Sequence, residues 1–229
     1  MVELVGPAGV GKTGVLRAIA QRDPTIRAGI RVDRLRRLPE VMWQGVHLTP
    51  AMIETLFTEP RWLWPSLRHL GRLRTLRGEL ERVRASRYRA ILLDEGPVFS
   101  LGRLSVFQHA SGGPGWLARR WSEELKQWAQ VLDGVVFLDA DNEVLAERIR
   151  KRPKMHEVKD ASDQAVFRFL DRYRTAYRDI ANRLSADGRV QILRLETTAA
   201  QVDQIAADVR TAVNVWGAQV VAGNAQRGM

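Results

Sequence analysis

The segment Gly6-Pro7-Ala8-Gly9-Val10-Gly11-Lys12-Thr13 matches the pattern G-x-x-x-x-G-K-[ST] at every fixed position. An apolar run at 2–5 precedes it, and Val15, Leu16 and Ile19 follow at helical spacing. Glycines in such a turn let backbone N–H groups surround a phosphate, and the helix dipole adds to the attraction. We expect Lys12 to reach the β- and γ-phosphates of a nucleotide and Thr13 to ligate Mg²⁺. The pattern therefore predicts a phosphate-binding loop between a strand and a helix.

Further strands are predicted at 28–32, 88–93, 134–138 and 189–195, alternating with helices. Helices are expected within 40–87, around 115–132, after Asp141, from Ser162 to about 187, and from Val202. Strands that alternate with helices form a parallel sheet covered on both faces, so the predicted fold class is α/β. Ligands of such sheets bind at the carboxyl ends of the strands.

Length and composition favour a single domain. The 229 residues include 45% hydrophobic residues, which suits one globular domain over 1–217 with a small polar tail at 218–229 that we expect to fray. The absence of cysteine excludes disulfides and thiol chemistry. No apolar run is long enough for a membrane helix, and the first strand leaves no room for a signal peptide. We therefore expect a cytoplasmic protein that does not enter a membrane.

The net charge of +10 comes mainly from arginine, since only five of the 36 basic residues are lysine. Two interpretations stay open: a solvated basic surface, or a surface for phosphates or another acidic partner. Nucleic acid is one such partner, although the sequence contains no zinc finger, recognition helix or aromatic RNA-binding motif.

A second phosphate-site motif follows the apolar strand at 88–93. A carboxylate at Asp94 would hold Mg²⁺ directly or through water. Glu95 has three interpretations: it polarises water as in P-loop ATPases, accepts a hydroxyl proton as in kinases, or caps the loop before Pro97. Either Asp94 or Glu95 is the candidate base.

Three absences narrow the class of P-loop protein. The sequence has no Asn-Lys-x-Asp motif, which disfavours a GTPase, and no Leu-Ser-Gly-Gly motif, which disfavours an ABC ATPase. It is also too short for the helical lid of a typical AAA+ module.

The segment Glu147-Arg148-Ile149-Arg150-Lys151-Arg152-Pro153-Lys154-Met155-His156-Glu157 resembles the lid of the thymidylate kinase and deoxynucleoside kinase families. Arg148, Arg152 and Glu157 match the family pattern, and Lys154 stands where the family often has arginine. A lid at 148–160 would close cations over the transferring phosphoryl group. The spacing predicts that Arg148 and Arg152 share one helix face.

The resemblance covers roughly 2–22, 88–97, 134–158 and 189–212 and implies the P-loop kinase fold, a five-stranded parallel sheet of order 2-3-1-4-5. It implies ATP as the nucleotide, with adenine against the loop after the last strand, here at Thr197. It also implies that 33–87 is a helical insertion lining the acceptor pocket, and that a homodimer formed through helices is possible.

The acceptor side departs from the family. These kinases usually place Asp-Arg or Glu-Arg after the third strand, where this chain has Asp94-Glu95-Gly96. Asp33 and Arg34 are the nearest candidates for the family's motif after the second strand. The insertion is rich in tryptophan and arginine, which would either clamp an acceptor or serve packing and solvation: Trp43, Trp62, Trp64, Arg61, Arg68, Arg72, Arg74 and Arg77.

The leading hypothesis is a kinase that moves the γ-phosphate of ATP to a hydroxyl or phosphate acceptor, nucleoside-like, nucleotide-like or sugar-like. Lys12, Asp94, Glu95, Arg148 and Arg152 are its candidate catalytic residues. The alternatives are an accessory ATPase whose nucleotide state controls a partner, and a nucleic-acid-associated P-loop protein that uses the arginine-rich helices.

Overall fold

The structure, a computed structural model, describes residues 1–30, 57, 60–84, 88–111, 115–153 and 155–227. Within this part of the chain five parallel strands lie in the order β2-β3-β1-β4-β5, which confirms the predicted topology. The strands are β1 (Val2–Val5), β2 (Ile26–Ile30), β3 (Ala90–Asp94), β4 (Gly134–Asp139) and β5 (Gln191–Glu196). The three inner strands are almost wholly buried, because parallel sheets are covered by helices on both faces.

The helices within the described residues are α1 (Lys12–Arg22), α2 (Pro60–Arg84), α3 (Pro97–Ser111), α4 (Gly115–Ala129), α5 (Asn142–Arg150), α6 (Asp163–Ser185) and α7 (Val202–Arg227). α1 packs against α7, whereas α3 contacts α2, α4 and α6. The buried apolar side chains of sheet and helices form one continuous core.

Two helices differ from what the sequence led us to expect. α3 was not predicted: Ser100 and Ser105 are buried beside Val98, Leu101 and Leu104, so its sequence lacks the apolar–polar alternation of a half-exposed helix. α7 extends to Arg227 and so includes most of the segment 218–229 that we expected to fray. Alanine and glutamine favour a helix in this last stretch despite its glycines.

The described residues cover only part of the predicted acceptor segment. α2 forms its second half, while the predicted motif at Asp33 and Arg34 lies outside the described residues, as does Trp43. Lys154 of the lid also lies outside them.

Candidate active site

The phosphate loop follows β1 and lies against β4 and α5. Gly6, Gly9 and Gly11 all have positive φ. A Cβ at Gly6 would be 2.2 Å from the carbonyl oxygen of Leu138 in β4, and one at Gly9 would be 2.9 Å from that of Leu145 in α5. These two positions need glycine because neighbouring backbone occupies the space. The loop therefore lies between a strand and a helix and requires glycine at two of its positions.

Lys12 begins α1 and folds back over the loop. Its Nζ donates hydrogen bonds to the carbonyl oxygens of Gly6, at 2.7 Å, and Pro7, at 3.2 Å. Burial lowers the pKa of Lys12 to about 8, Asp94 opposes this, and the positive charge of Arg152 adds to the lowering. The charges of Asp94, at the end of β3, and of the lid residue Arg152 therefore both act on Lys12.

The sharp turn between β3 and α3, residues 94–97, is here called the β3–α3 corner. Asp94 is buried at its start, and Glu95 adopts a left-handed conformation with φ 61°, rare for a residue with a side chain. Arg72 of α2 holds Glu95 in place: its Nε and Nη2 donate to the Glu95 carbonyl oxygen at 2.9 and 2.5 Å, and its Nη1 lies 3.0 Å from Oε2. The sequence did not single out Arg72 among the arginines of the insertion.

Glu3 is a buried acid in β1 that no sequence motif indicated. Its carboxylate accepts hydrogen bonds from the backbone N–H groups of Val98, at 2.7 Å, and Phe99, at 2.9 Å, in the first turn of α3. Burial raises the pKa of Glu3 to about 7, although these two hydrogen bonds oppose the rise. A Cβ at Gly96 would lie 2.8 Å from the Glu3 carboxyl carbon, so the corner is packed directly on this group. A lone acid inside an otherwise apolar strand was the available clue.

Glu3→Gln should make stability less dependent on pH. Because the folded-state pKa is raised from 4.5 to about 7, Glu3 ionises at lower pH in the unfolded chain than in the folded protein. The free energy of unfolding of the wild type therefore falls as pH rises through this window. Glutamine stays neutral, so the unfolding free energy of the variant relative to wild type should increase by up to about 3 kcal/mol from pH 4.5 to 7. Urea unfolding at several pH values measures this change, and a constant difference across the window would contradict it.

The lid arginines take different positions. α5 ends at Arg150, so the prediction that Arg148 and Arg152 share one helix face was wrong. Arg148 Nη2 donates to the carbonyl oxygen of Thr197 at 3.0 Å, in the loop after β5, whereas Arg152 lies beyond the helix, with its charge near Lys12. The chain leaves the helix between the two residues, so Arg152 is not on the helix face that carries Arg148.

Thr197 joins three parts of the site. Its Oγ1 donates to the carbonyl oxygens of Asp139, at 3.0 Å, and Val10, at 3.3 Å, and its carbonyl accepts from Arg148. The loop predicted to contact adenine is thereby fastened to the phosphate loop, to the end of β4 and to the lid.

The lid is also fastened on its other side. Arg103 of α3, which no sequence motif indicated, donates to Glu157 Oε1 at 2.8 Å and to the Tyr173 hydroxyl of α6 at 2.6 Å. Lys159 Nζ donates to the Arg152 carbonyl oxygen at 2.6 Å. These contacts hold the lid between α3 and α6.

The arginines of α2 divide between two environments. Arg72 is buried against the corner, whereas Arg77 lies 3.0 Å from Glu124 of α4 and over the Trp128 ring. Arg68 and Arg74 are exposed. Of the arginines predicted for the acceptor side, Arg72 is the one whose contacts with the corner are described.

Thr13 and Asp94 offer a hydroxyl and a carboxylate, the oxygen ligands that Mg²⁺ prefers. No group of three or more acidic or histidine side chains suited to a metal occurs among the described residues. A magnesium ion here would therefore take most of its ligands from phosphate oxygens and water, as Mg²⁺ does in phosphate sites. The donor set fits the ion.

Comparison with known proteins supports the fold and not the sequence family. No family model matches the chain, and no curated protein matches it. A structure of deoxyadenosine kinase from M. mycoides with dCMP and dCDP bound is similar with a TM-score of 0.59 at 13% identity, over 93% of this chain and 98% of that one. Thymidylate kinase from Candida albicans is similar with a TM-score of 0.57 at 13% identity, over 93% and 90%.

A second structure of the M. mycoides kinase, with dATP bound, gives a TM-score of 0.58 at 11% identity, over 93% of this chain and 98% of that one.

None of the described helices could span a membrane. The resemblance inferred from the phosphate loop and the lid is confirmed at the level of architecture. The chain has the fold of the P-loop nucleoside and nucleotide kinases.

Proposed function

We propose that this protein is an ATP-dependent kinase that transfers the γ-phosphate to a hydroxyl or phosphate on a small acceptor, nucleoside-like, nucleotide-like or sugar-like. The observation that carries the proposal is the glycine loop between β1 and α1, where Gly6, Gly9 and Gly11 have positive φ and Lys12 Nζ donates to loop carbonyl oxygens. The positive charge of the lid residue Arg152 also lowers the pKa of Lys12. Phosphoryl transfer develops charge on the γ-phosphate oxygens, and cations from two separate elements can stabilise that charge. The likeness to kinases that bind nucleotides supports the same class of reaction.

In this proposal the loop amides and Lys12 bind the phosphates of ATP. Lys12 would exchange its present acceptors, the Gly6 and Pro7 carbonyl oxygens, for phosphate oxygens. Thr13 and Asp94 would hold Mg²⁺, which when bound neutralises phosphate charge and orients the γ-phosphoryl group. Arg152 would contact that group from the lid, while Asp94 or Glu95 would accept the acceptor's proton. Arg148 would hold the adenine-side loop through Thr197.

The direct test is ATP consumption with Mg²⁺ by the purified protein, alone and with a panel of nucleosides, nucleotides, sugars and other alcohols. The proposal expects turnover to rise sharply with one compound and the phosphate to be found on that compound by mass spectrometry. Slow hydrolysis that is indifferent to every compound would contradict a kinase and favour the accessory ATPase.

The accessory ATPase remains the second candidate because Glu95, whose side chain is 48% exposed, follows Asp94 directly and could activate water. Glu95→Gln separates the two functions. An ATPase that depends on Glu95 should retain bound ATP without hydrolysing it, whereas a kinase should release ATP freely and lose transfer to the acceptor. Filter binding of labelled ATP after a chase with unlabelled ATP measures retention.

A further inference from the structure

α2 presents a line of polar side chains to the protein interior. Ser66, His69 and Arg72 are all buried and recur every three residues, so they lie along one side of the helix. Both His69 and Arg72 reach Phe99 in the first turn of α3, with their groups 6.5 and 5.5 Å from its ring. This polar line therefore faces the β3–α3 corner, where an ordinary core helix would place apolar residues.

Arg72 makes contacts with Glu95 that a purely packing residue would not need. Two of its nitrogens bind the Glu95 carbonyl oxygen, and a third pairs with the Glu95 carboxylate at 3.0 Å. The planar guanidinium can serve both acceptors at once, which a lysine ammonium on a flexible stem cannot do with the same geometry. Arg72 thereby determines both the backbone position and the side-chain direction of Glu95.

The corner is held from two sides. Glu3 of β1 binds the first turn of α3 and abuts Gly96, whereas Arg72 of α2 binds Glu95. Glu95 has a left-handed conformation that persists only when its surroundings impose it. Arg72 supplies that constraint from the segment that precedes β3, outside the phosphate-loop motifs.

We propose that Arg72 is a positioning residue for phosphoryl transfer, which sets the Glu95 carboxylate at the acceptor side of the phosphate site and links α2 to the corner. The inference rests on the proposed kinase function. Arg72 acts through Glu95 and need not touch either substrate. Loss of Arg72 should therefore reduce kcat while the affinity for ATP stays the same, because the phosphate loop is left intact.

The test is a double-mutant cycle with Arg72→Gln, Glu95→Gln and the double variant, each assayed with the acceptor found in the panel. Arg72→Gln should lower kcat on the order of 10–100-fold, the scale of a misplaced catalytic group. The double variant should be no slower than Glu95→Gln alone, since Arg72 has nothing left to position. Arg72→Lys should recover part of the loss because it retains one cationic contact.

Arg77→Gln is the matched control. Arg77 lies on the same helix and has a comparable ion pair and ring contact, but with Glu124 and Trp128 of α4. It should retain wild-type kcat. Two outcomes would overturn the inference in favour of a general structural role. One is a kcat of the double variant that falls by the product of the two single losses, and the other is an equal loss of kcat in Arg72→Gln and Arg77→Gln.

Amide hydrogen exchange provides a second measurement that does not require enzymatic activity and that distinguishes local opening at the corner from loss of the whole fold. In Arg72→Gln the amides of residues 95–100 should exchange faster while those of β1 and β4 stay protected, and Arg77→Gln should leave 95–100 unchanged. If the wild type phosphorylates no acceptor, the proposed function fails, and corner exchange still decides whether Arg72 holds Glu95. Unchanged exchange at the corner in Arg72→Gln would refute the positioning role directly.

Discussion

Lys12→Ala should reduce ATP turnover by on the order of 10³-fold or more, because it removes the cation that we propose to contact the transferring phosphates. The fold should persist, because within the described part of the chain the Lys12 ammonium donates hydrogen bonds to two carbonyl oxygens of its own loop and to no other element. Steady-state ATP consumption measures the loss, and circular dichroism checks the fold.

Lys126→Ala is the control for charge alone, because Lys126 is an exposed lysine in the last turn of α4, which leads to the amino-terminal end of β4, whereas the phosphate loop follows the carboxyl end of β1. It should turn over ATP at the wild-type rate. Wild-type turnover in Lys12→Ala would remove the assignment of the phosphate loop as the reaction site, whatever the fold.

Arg152→Ala should lower kcat on the order of 10²–10³-fold, the scale for loss of one preorganised charge donor. Of the described lid residues that match the family pattern, Arg152 is the one whose charge acts on Lys12, so we expect it to act on the transferring group. Its effect on KM for ATP should be small by comparison. Initial rates over a range of ATP concentrations separate the two parameters.

Arg148→Ala is the comparison variant for Arg152→Ala, because both arginines belong to the predicted lid. Since Arg148 is bound to the Thr197 loop, its loss should raise KM for ATP several-fold and change kcat little. If Arg152→Ala changed only KM, the lid would be a binding element and not a transition-state clamp. Equal kcat losses in both variants would restore the original expectation that the two arginines act together.

Local sequence was sufficient to predict a glycine-rich loop between β1 and α1 and an aspartate at the end of β3. Both signals consist of residues adjacent in the chain, since a glycine-rich turn or a strand-end carboxylate is placed by its immediate neighbours. The strand order followed from the resemblance, and the arrangement of the five described strands confirms it. α3 was not predicted because a helix that is covered on several sides lacks the periodic alternation of apolar and polar residues that indicates a helix in a sequence.

The sequence by itself determined where phosphate-binding chemistry is expected: Lys12 and Thr13 after β1, Asp94 after β3, and a basic lid after β4. Only the tertiary structure decided which other residues face that chemistry. Glu3 lies 92 positions before Glu95 in the sequence, and Arg72 lies 23 positions before it. Both contact the corner region because β1 and α2 pack beside it. Arg148 and Arg152 are close in sequence and diverge because α5 ends between them. Contacts between distant segments depend on how helices pack on the sheet, and no local pattern encodes that packing.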